Sequence, residues 1–225
     1  MTQELDTQKI KLKNLQNSFY SCFFILFLYN WFMSKIIFVT GGSASGKTTI
    51  AKNIKEALGE DAILISQDMF YIPTKSDDTN YDIPSAFDWK LQNEVFKKIQ
   101  NGESVEIPIY CFEKHDRIGT TKIQSHDIII FEGLFTFWDD ELIEKADFQI
   151  FVDTPSDTRL ARRLIRDVKE RGRDPLQVIN RWQNDVQPSF LKYINEMRSK
   201  ADIIVPWIKV REKTLSALIF AIRGI

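Results

Sequence analysis

Ile36, Ile37, Phe38 and Val39 make an unbroken apolar run within residues 35–40, the pattern of a strand buried on both faces. The same pattern returns at 62–65, 127–132, 148–153 and 203–205. Between these runs the apolar spacing lengthens to the helical period. It predicts helices over 48–58, stopped by Gly59, over 88–100, stopped by Asn101-Gly102, and over 139–145. Further helices are predicted over 156–171, closed by Gly172, over 175–197 and over 213–221. Residues 104–110 alternate and predict a short strand or hairpin arm. Residues 71–87, with Pro73 and Pro84, read as irregular chain. Strands alternating with helices imply an α/β fold, a five-stranded parallel sheet flanked by helices.

The N-terminus does not fit this pattern. Residues 1–18 are polar and 19–33 form an aromatic and aliphatic run interrupted by Ser21, Cys22 and Asn30. A membrane-spanning helix needs about 20 apolar residues, so this run is short for one. It also lacks the small-residue cleavage site of a signal peptide. Met33-Ser34-Lys35 reads as the start of the folded domain, with 33–225 as that domain and 1–32 as an upstream extension. A mis-called start is the favoured origin of the extension, and an interfacial anchor the alternative.

Composition narrows the choice of partners. The 225 residues suffice for one well-cored domain and are too few for two large ones. With Lys+Arg 30 and Asp+Glu 31 the formal net charge is −1, so nothing attracts nucleic acid or an anionic membrane globally. Any anion site must be local. Cys22 and Cys111 have no zinc-like spacing, and His115 and His126 are the sole histidines. Both facts argue against a disulfide framework or metal cluster and suit a reducing cytosol.

Gly41-Gly42-Ser43-Ala44-Ser45-Gly46-Lys47-Thr48 matches G-x-x-x-x-G-K-[ST] between a predicted buried strand and a predicted helix. Glycines let the backbone wrap closely, so that N–H groups and the helix dipole meet phosphate oxygens. Lys47 suits the β and γ phosphates of a nucleoside triphosphate, and the Thr48 hydroxyl suits Mg²⁺. Glu132 ends the run 127–132 where a Mg²⁺-linked carboxylate is needed, although a solvated strand end reads the same in isolation. Asp68 follows the run 62–65. The end of a parallel strand beside the phosphate-loop strand faces the same crevice, so Asp68 is a candidate base and Mg²⁺ ligand; a helix cap or turn is the alternative.

The order of these motifs makes a resemblance specific. The chain resembles the uridine–cytidine kinase family of P-loop kinases over residues 33–208. The resemblance is carried by Gly41 to Thr48 with Thr49, and by Gln67-Asp68-Met69-Phe70-Tyr71. It continues through Asn80-Tyr81-Asp82, Pro108-Ile109-Tyr110 with Phe112 and His115, Phe131-Glu132-Gly133, and Arg171-Gly172-Arg173-Asp174. It implies a P-loop NTPase fold with a small substrate-binding insertion and an arginine-rich lid. ATP or GTP would be the phosphate donor, with Mg²⁺, and the acceptor a small nucleoside; a homo-oligomer, a tetramer, is also implied. By the same resemblance Asp68 is the base for the 5′-hydroxyl, and Asp82 and Arg173 contact the ribose. Tyr71, Tyr110 and Phe112 pack around the base, and His115 bonds its polar edge. Without the resemblance the aromatic residues read as core and His115 as a surface residue, while His126 reads as a loop residue throughout.

The predicted helix 156–171 is strongly basic. Arg159, Arg162, Arg163 and Arg166 fall at three- and four-residue spacings and share a side. Arginine forks suit phosphate, and the resemblance points to Arg163, Arg166 and Arg171 as contacts ahead of Arg159 and Arg162. A solvated helix is the alternative. Nucleic acid is disfavoured, since no aromatic residues interleave.

Some positions depart from the family pattern. Ile83 stands in place of histidine, Cys111 of aspartate, Asp116 of serine and Arg181 of glutamine. These place acceptor identity, more than the reaction, in question. A related kinase acting on another riboside, a phosphosugar or a vitamin precursor is one competing reading, though Asp77, Asp78 and Asp82 disfavour a phosphorylated acceptor. A nucleotide-dependent switch or ATPase is another: the lack of an N-K-x-D guanine-reading motif disfavours a GTPase switch, and the chain lacks the bulk of an AAA-type machine.

Overall fold

Alternate residues of the first strand enter two different cores. The computed structural model describes residues 34–74, 79–209 and 211–225. The expectations for residues 1–33 and for Asp77 and Asp78 fall outside them. The strands are β1 (Lys35–Thr40), β2 (Ala62–Ser66), β3 (Val105–Cys111), β4 (Asp116–Ile123), β5 (Ile128–Gly133), β6 (Phe148–Asp153) and β7 (Ile203–Pro206). The helices are α1 (Lys47–Leu58), α2 (Trp89–Gln100), α3 (Asp140–Ile143), α4 (Ser156–Arg171), α5 (Pro175–Arg181) and α6 (Glu212–Gly224).

Ile36 and Phe38 of β1 pack with Phe131, Phe96 and Ile99 on one side of the sheet. Ile37 and Val39 pack with Ile50, Ile54, Leu218 and Ile222 on the other. Both faces are therefore covered by helices, which is why the strands read as continuous apolar runs.

The main sheet is five-stranded and parallel, in the order β2-β5-β1-β6-β7. One expectation needs correcting. The strand leading to Asp68 does not lie beside β1, because β5 is inserted between β2 and β1. The consequence is functional: the end of β5, with Glu132, is flanked by the phosphate loop on one side and by the β2 exit on the other.

Helix ends follow the sequence closely. Asp88 accepts from the Leu91 N–H, Asp139 from those of Glu141 and Leu142, and Asp174 from that of Gln177. Gly172 closes α4 in the left-handed conformation, φ 62°. The single helix expected over 175–197 is instead a composite. After α5 it widens into π turns at Trp182–Val186 and Phe190–Ile194, then tightens at Asn195–Lys200. Pro188 lies between the two wide segments, where it can give no N–H to the ladder.

The alternating arm at 104–110 is β3, paired antiparallel with β4. No strand was expected at 116–123, because that segment is mostly exposed and carries little apolar pattern. No helix among the described residues is long and apolar enough to cross a membrane.

Candidate active site

The phosphate loop leaves β1 and enters α1. Its Ser45 N–H donates to the Gly42 carbonyl at 3.0 Å. The Ser45 carbonyl is held in turn by the Thr154 hydroxyl at 2.8 Å and by Arg162 at 3.2 Å. Gly46 caps α1 at φ 98°, and a Cβ there would strike the Trp207 indole. Both conditions call for glycine. Thr40 ties the ends of β1 and β5 together, its hydroxyl donating to the carbonyls of Gly133 at 3.1 Å and Leu134 at 3.0 Å.

Glu132, at the end of β5, is 3% exposed. It accepts from the Thr48 hydroxyl at 3.0 Å through Oε2 and from the Ser66 hydroxyl at 2.8 Å through Oε1. Beside it, Asp68 stands on the short turn Gln67–Phe70 that follows β2. This turn is anchored by Gln67, whose side chain donates to Gln92 at 3.1 Å and accepts from the Phe135 N–H at 2.8 Å.

The two carboxylates lie in unfavourable surroundings. Burial raises the Asp68 carboxyl above its ordinary range; Lys47, Arg171 and Arg166 oppose this and Asp82 adds to it. Burial likewise raises that of Glu132, opposed by Lys47 and reinforced by Asp68. A cation relieves such a pair. Thr48, Glu132 and Asp68 offer a hydroxyl and carboxylate oxygens, and among the described residues no group of three or more acidic, histidine or cysteine side chains is arranged to hold a metal ion. That sparse oxygen set fits Mg²⁺, which keeps waters and phosphate oxygens in its shell. It does not fit a fully protein-ligated metal.

Two hollows meet here. One cleft is lined by Ala44, Gly46, Thr48, Thr49 and Glu132, together with Lys52, Trp207 and Lys209. A second pocket is lined by Ser43, Tyr71, Asp82, Phe112, Arg163 and Arg173, among others. Lys47, Asp68, Arg166 and Arg171 line both.

In the second pocket, Arg163 reaches the Ser43 hydroxyl at 2.7 Å and Asp82 at 3.5 Å. The Asn80 side chain accepts from the Asp82 N–H at 2.8 Å and fixes that turn. Tyr71 stacks on Phe87 at 4.3 Å and gives its hydroxyl to the Tyr81 carbonyl at 3.3 Å. Burial, then Asp68 and Asp82, push its phenol well above its ordinary pKa. Arg171 lies over the Phe112 ring at 4.7 Å.

The remaining candidates sit one layer back. Tyr110 and His115, both expected at the base, do not line the pocket. The Tyr81 hydroxyl is 2.5 Å from His115 Nδ1 and 3.3 Å from the Tyr110 hydroxyl, so Tyr81 forms the wall and they support it.

The basic helix also divides its labour. Arg159 is 1% exposed and packs over Phe190 at 3.9 Å and Trp182 at 5.2 Å. It donates to the Thr154 carbonyl at 3.1 Å and to Gln187 at 3.3 Å, and burial lowers its pKa to about 10. Arg162 donates to the carbonyls of Ser45, Trp207 and Ile208. The basic face thus serves more than one purpose: Arg159 belongs to the core, while Arg162 braces the loop carbonyls and also lines the cleft with Arg166.

Sequence reading missed Tyr81 as pocket wall and gave Asp167 no role. Its positions four residues from both Arg163 and Arg171 were the available signal.

Comparisons with known proteins agree with this geometry. Residues 36–214 match the family described as Phosphoribulokinase / Uridine kinase family. The chain is 42% identical over 179 residues to Uridine-cytidine kinase B of Dictyostelium discoideum, covering 76% of this chain and 74% of that one. It is 41% identical over 184 residues to Uridine kinase of Clostridium perfringens, covering 77% and 88%. Phosphoribulokinase from Rhodobacter spheroides shares the fold, with a TM-score of 0.56 at 20% identity over 76% of this chain and 69% of that one. A phosphate loop entering α1, a buried glutamate beside it and a matched span from β1 to α6 together lead to one conclusion: the chain belongs to the phosphoribulokinase / uridine kinase family.

Proposed function

We propose that this chain transfers the terminal phosphate of ATP, or GTP, to the 5′-hydroxyl of uridine or cytidine, giving UMP or CMP. One observation carries the reading. Lys47, Asp68, Arg166 and Arg171 line both hollows, so a donor in one and an acceptor in the other would meet at these side chains. The names of the relatives supply the nucleoside class.

The roles follow from charge and position. The loop 41–49 and Lys47 hold the triphosphate, with Arg163 reaching it from the acceptor side. Arg166 and Arg171 neutralise charge that develops on the transferring group. Asp68 takes the acceptor hydroxyl's proton as the O–P bond forms, and the bond to the leaving diphosphate oxygen breaks in line. Mg²⁺, held through Thr48, Glu132 and Asp68, would offset phosphate charge. Asp82 and Arg173 orient the ribose, and Tyr71, Phe112 and Tyr81 face the base, with Tyr110 and His115 behind Tyr81. Buried partners for ribose hydroxyls disfavour deoxy acceptors, because those partners would then be left unpaired. A cytosolic homo-oligomer with no nucleic-acid partner completes the proposal.

A second reading has one observation in its favour. Arg181, where the family pattern has glutamine, lines the acceptor pocket and donates to the Thr79 carbonyl at 3.3 Å. A fixed donor there suits another riboside whose oxygen faces it.

The test is ADP formation by purified protein with ATP·Mg²⁺ and a panel of nucleosides. Turnover dependent on uridine or cytidine supports the first reading, turnover with another riboside alone supports the second, and acceptor-independent hydrolysis overturns both.

A further inference from the structure

Three arginines of the cleft converge on one buried carboxylate. Asp167 is fully buried, and its Oδ1 lies 2.9 Å from Arg166 Nε and 3.4 Å from Arg171 Nη1, while its Oδ2 lies 3.4 Å from Arg163 Nε. We propose that Asp167 is a positioning residue for phosphoryl transfer, its carboxylate setting the guanidinium groups of Arg163, Arg166 and Arg171 in one fan over the cleft. The inference rests on the kinase reading above and deepens it.

The geometry distinguishes these arginines from their neighbours. Arg159 is held by the Thr154 carbonyl and aromatic rings and Arg162 by backbone carbonyls, whereas the ion pairs of Asp167 among the described residues are with Arg163, Arg166 and Arg171. The three it does hold all line the acceptor pocket, and two of them line the donor cleft as well. One carboxylate among three guanidinium groups leaves the fan net positive, which suits a triphosphate without cancelling its attraction.

Without the carboxylate, like charges crowd one another. Arg166 already pushes the Arg171 guanidinium towards its neutral form, second to burial and opposed by Asp167. The Asp167 carboxyl itself is raised by burial, but the charge and hydrogen bond of Arg166, with Arg163 and Arg171, carry it below the ordinary range. It is therefore a standing anion in the hub.

The backbone of the same residue contributes. Its carbonyl accepts the N–H groups of Gly172 and, at 3.0 Å, of Arg173, so one residue fixes the helix exit that aims Arg171 and Arg173. Arg163, by bonding Ser43 and Asp82, carries the fan's placement to both reactants.

The experiment uses the full chain as parent, Asp167→Asn and Asp167→Glu. It measures uridine-dependent kcat and KM, binding of a non-hydrolysable Mg²⁺·ATP analogue by calorimetry, and thermal unfolding. The proposal expects Asp167→Asn to lower kcat about 100-fold, with the uridine KM changed less than about 3-fold and analogue binding weakened about 10-fold. Asp167→Glu, which keeps the charge but displaces it, should recover about 10-fold of that kcat.

A folded Asp167→Asn with kcat within about 2-fold of the parent overturns the proposal. So does a loss that only tracks the unfolding midpoint, the mark of a structural role. Should Asp167→Asn not fold, Asp167→Glu decides: a fall of about 10-fold at the parent's midpoint supports the proposal, and an unchanged kcat overturns it. If the parent phosphorylates no nucleoside, the acceptor reading fails by itself. Analogue binding then judges Asp167: weakening supports the role, and unchanged binding overturns it.

Discussion

The Thr48 hydroxyl donates to Glu132 Oε2 across 3.0 Å, joining the first turn of α1 to the end of β5, 84 residues further on. It is the point at which the phosphate loop and the inserted strand become one site. The bond also places a carboxylate, buried on both sides, next to a lysine and a second acid, an arrangement that costs the folded chain stability in the absence of a cation.

Glu132→Gln should therefore stabilise the metal-free protein. Burial, then Asp68, raises the folded pKa of Glu132 above its unfolded value. Its contribution to stability is complete below the unfolded pKa and is lost as pH rises through the folded one. Without Mg²⁺, the variant should exceed the parent by about 1 kcal/mol at pH 8 and show no advantage at pH 4, while kcat falls about 10–100-fold. Thermal unfolding at the two pH values and steady-state kinetics check this; a variant less stable at pH 8 contradicts it.

Gly46→Ala should cost more than Gly102→Ala, although both glycines have positive φ, 98° and 79°. A Cβ at Gly102 meets nothing within 4 Å, whereas at Gly46 it meets the Trp207 indole. Strain by itself predicts about 1 kcal/mol at Gly102. At Gly46, strain of about 1–3 kcal/mol is joined by displacement of Trp207, and nucleotide affinity falls with it. Denaturant unfolding and nucleotide titration separate the two.

Arg159→Met and Arg166→Met should fail in different ways. Arg159 is enclosed by Phe190, Trp182 and the Thr154 carbonyl, so its loss should cost about 2–3 kcal/mol of stability. Arg166 has a side chain 32% exposed at the cleft and shares Asp167 with Arg163 and Arg171, so its loss should lower stability less than that of Arg159 and show chiefly as a fall in kcat of about 100-fold. Parallel unfolding and kinetic measurements test the contrast.

What the sequence disclosed follows from the range of the interactions. The loop 41–48, the cap residues Asp88, Asp139 and Asp174, and the stop at Gly172 act within a few residues, so their chemistry is local and legible. The insertion of β5 between β2 and β1 is a pairing between distant segments, and nothing in 62–66 announces it. β4 was hidden because an exposed hairpin arm needs no apolar alternation. Arg159 and Arg166 look alike as letters on one helix, and only packing against the 182–190 segment separates a core residue from a cleft residue. Tyr81 lines the pocket while His115 stacks on its ring and Tyr110 meets it edge-on, an arrangement set by contacts between distant segments.

The most direct test of the account compares parent and Asp68→Asn for uridine-dependent ADP formation, with nucleotide affinity measured alongside. The account predicts that Asp68→Asn binds metal-free ADP within about 3-fold of the parent and loses about 10²–10⁴-fold in transfer to uridine. A variant that phosphorylates uridine at the parent's rate would contradict it.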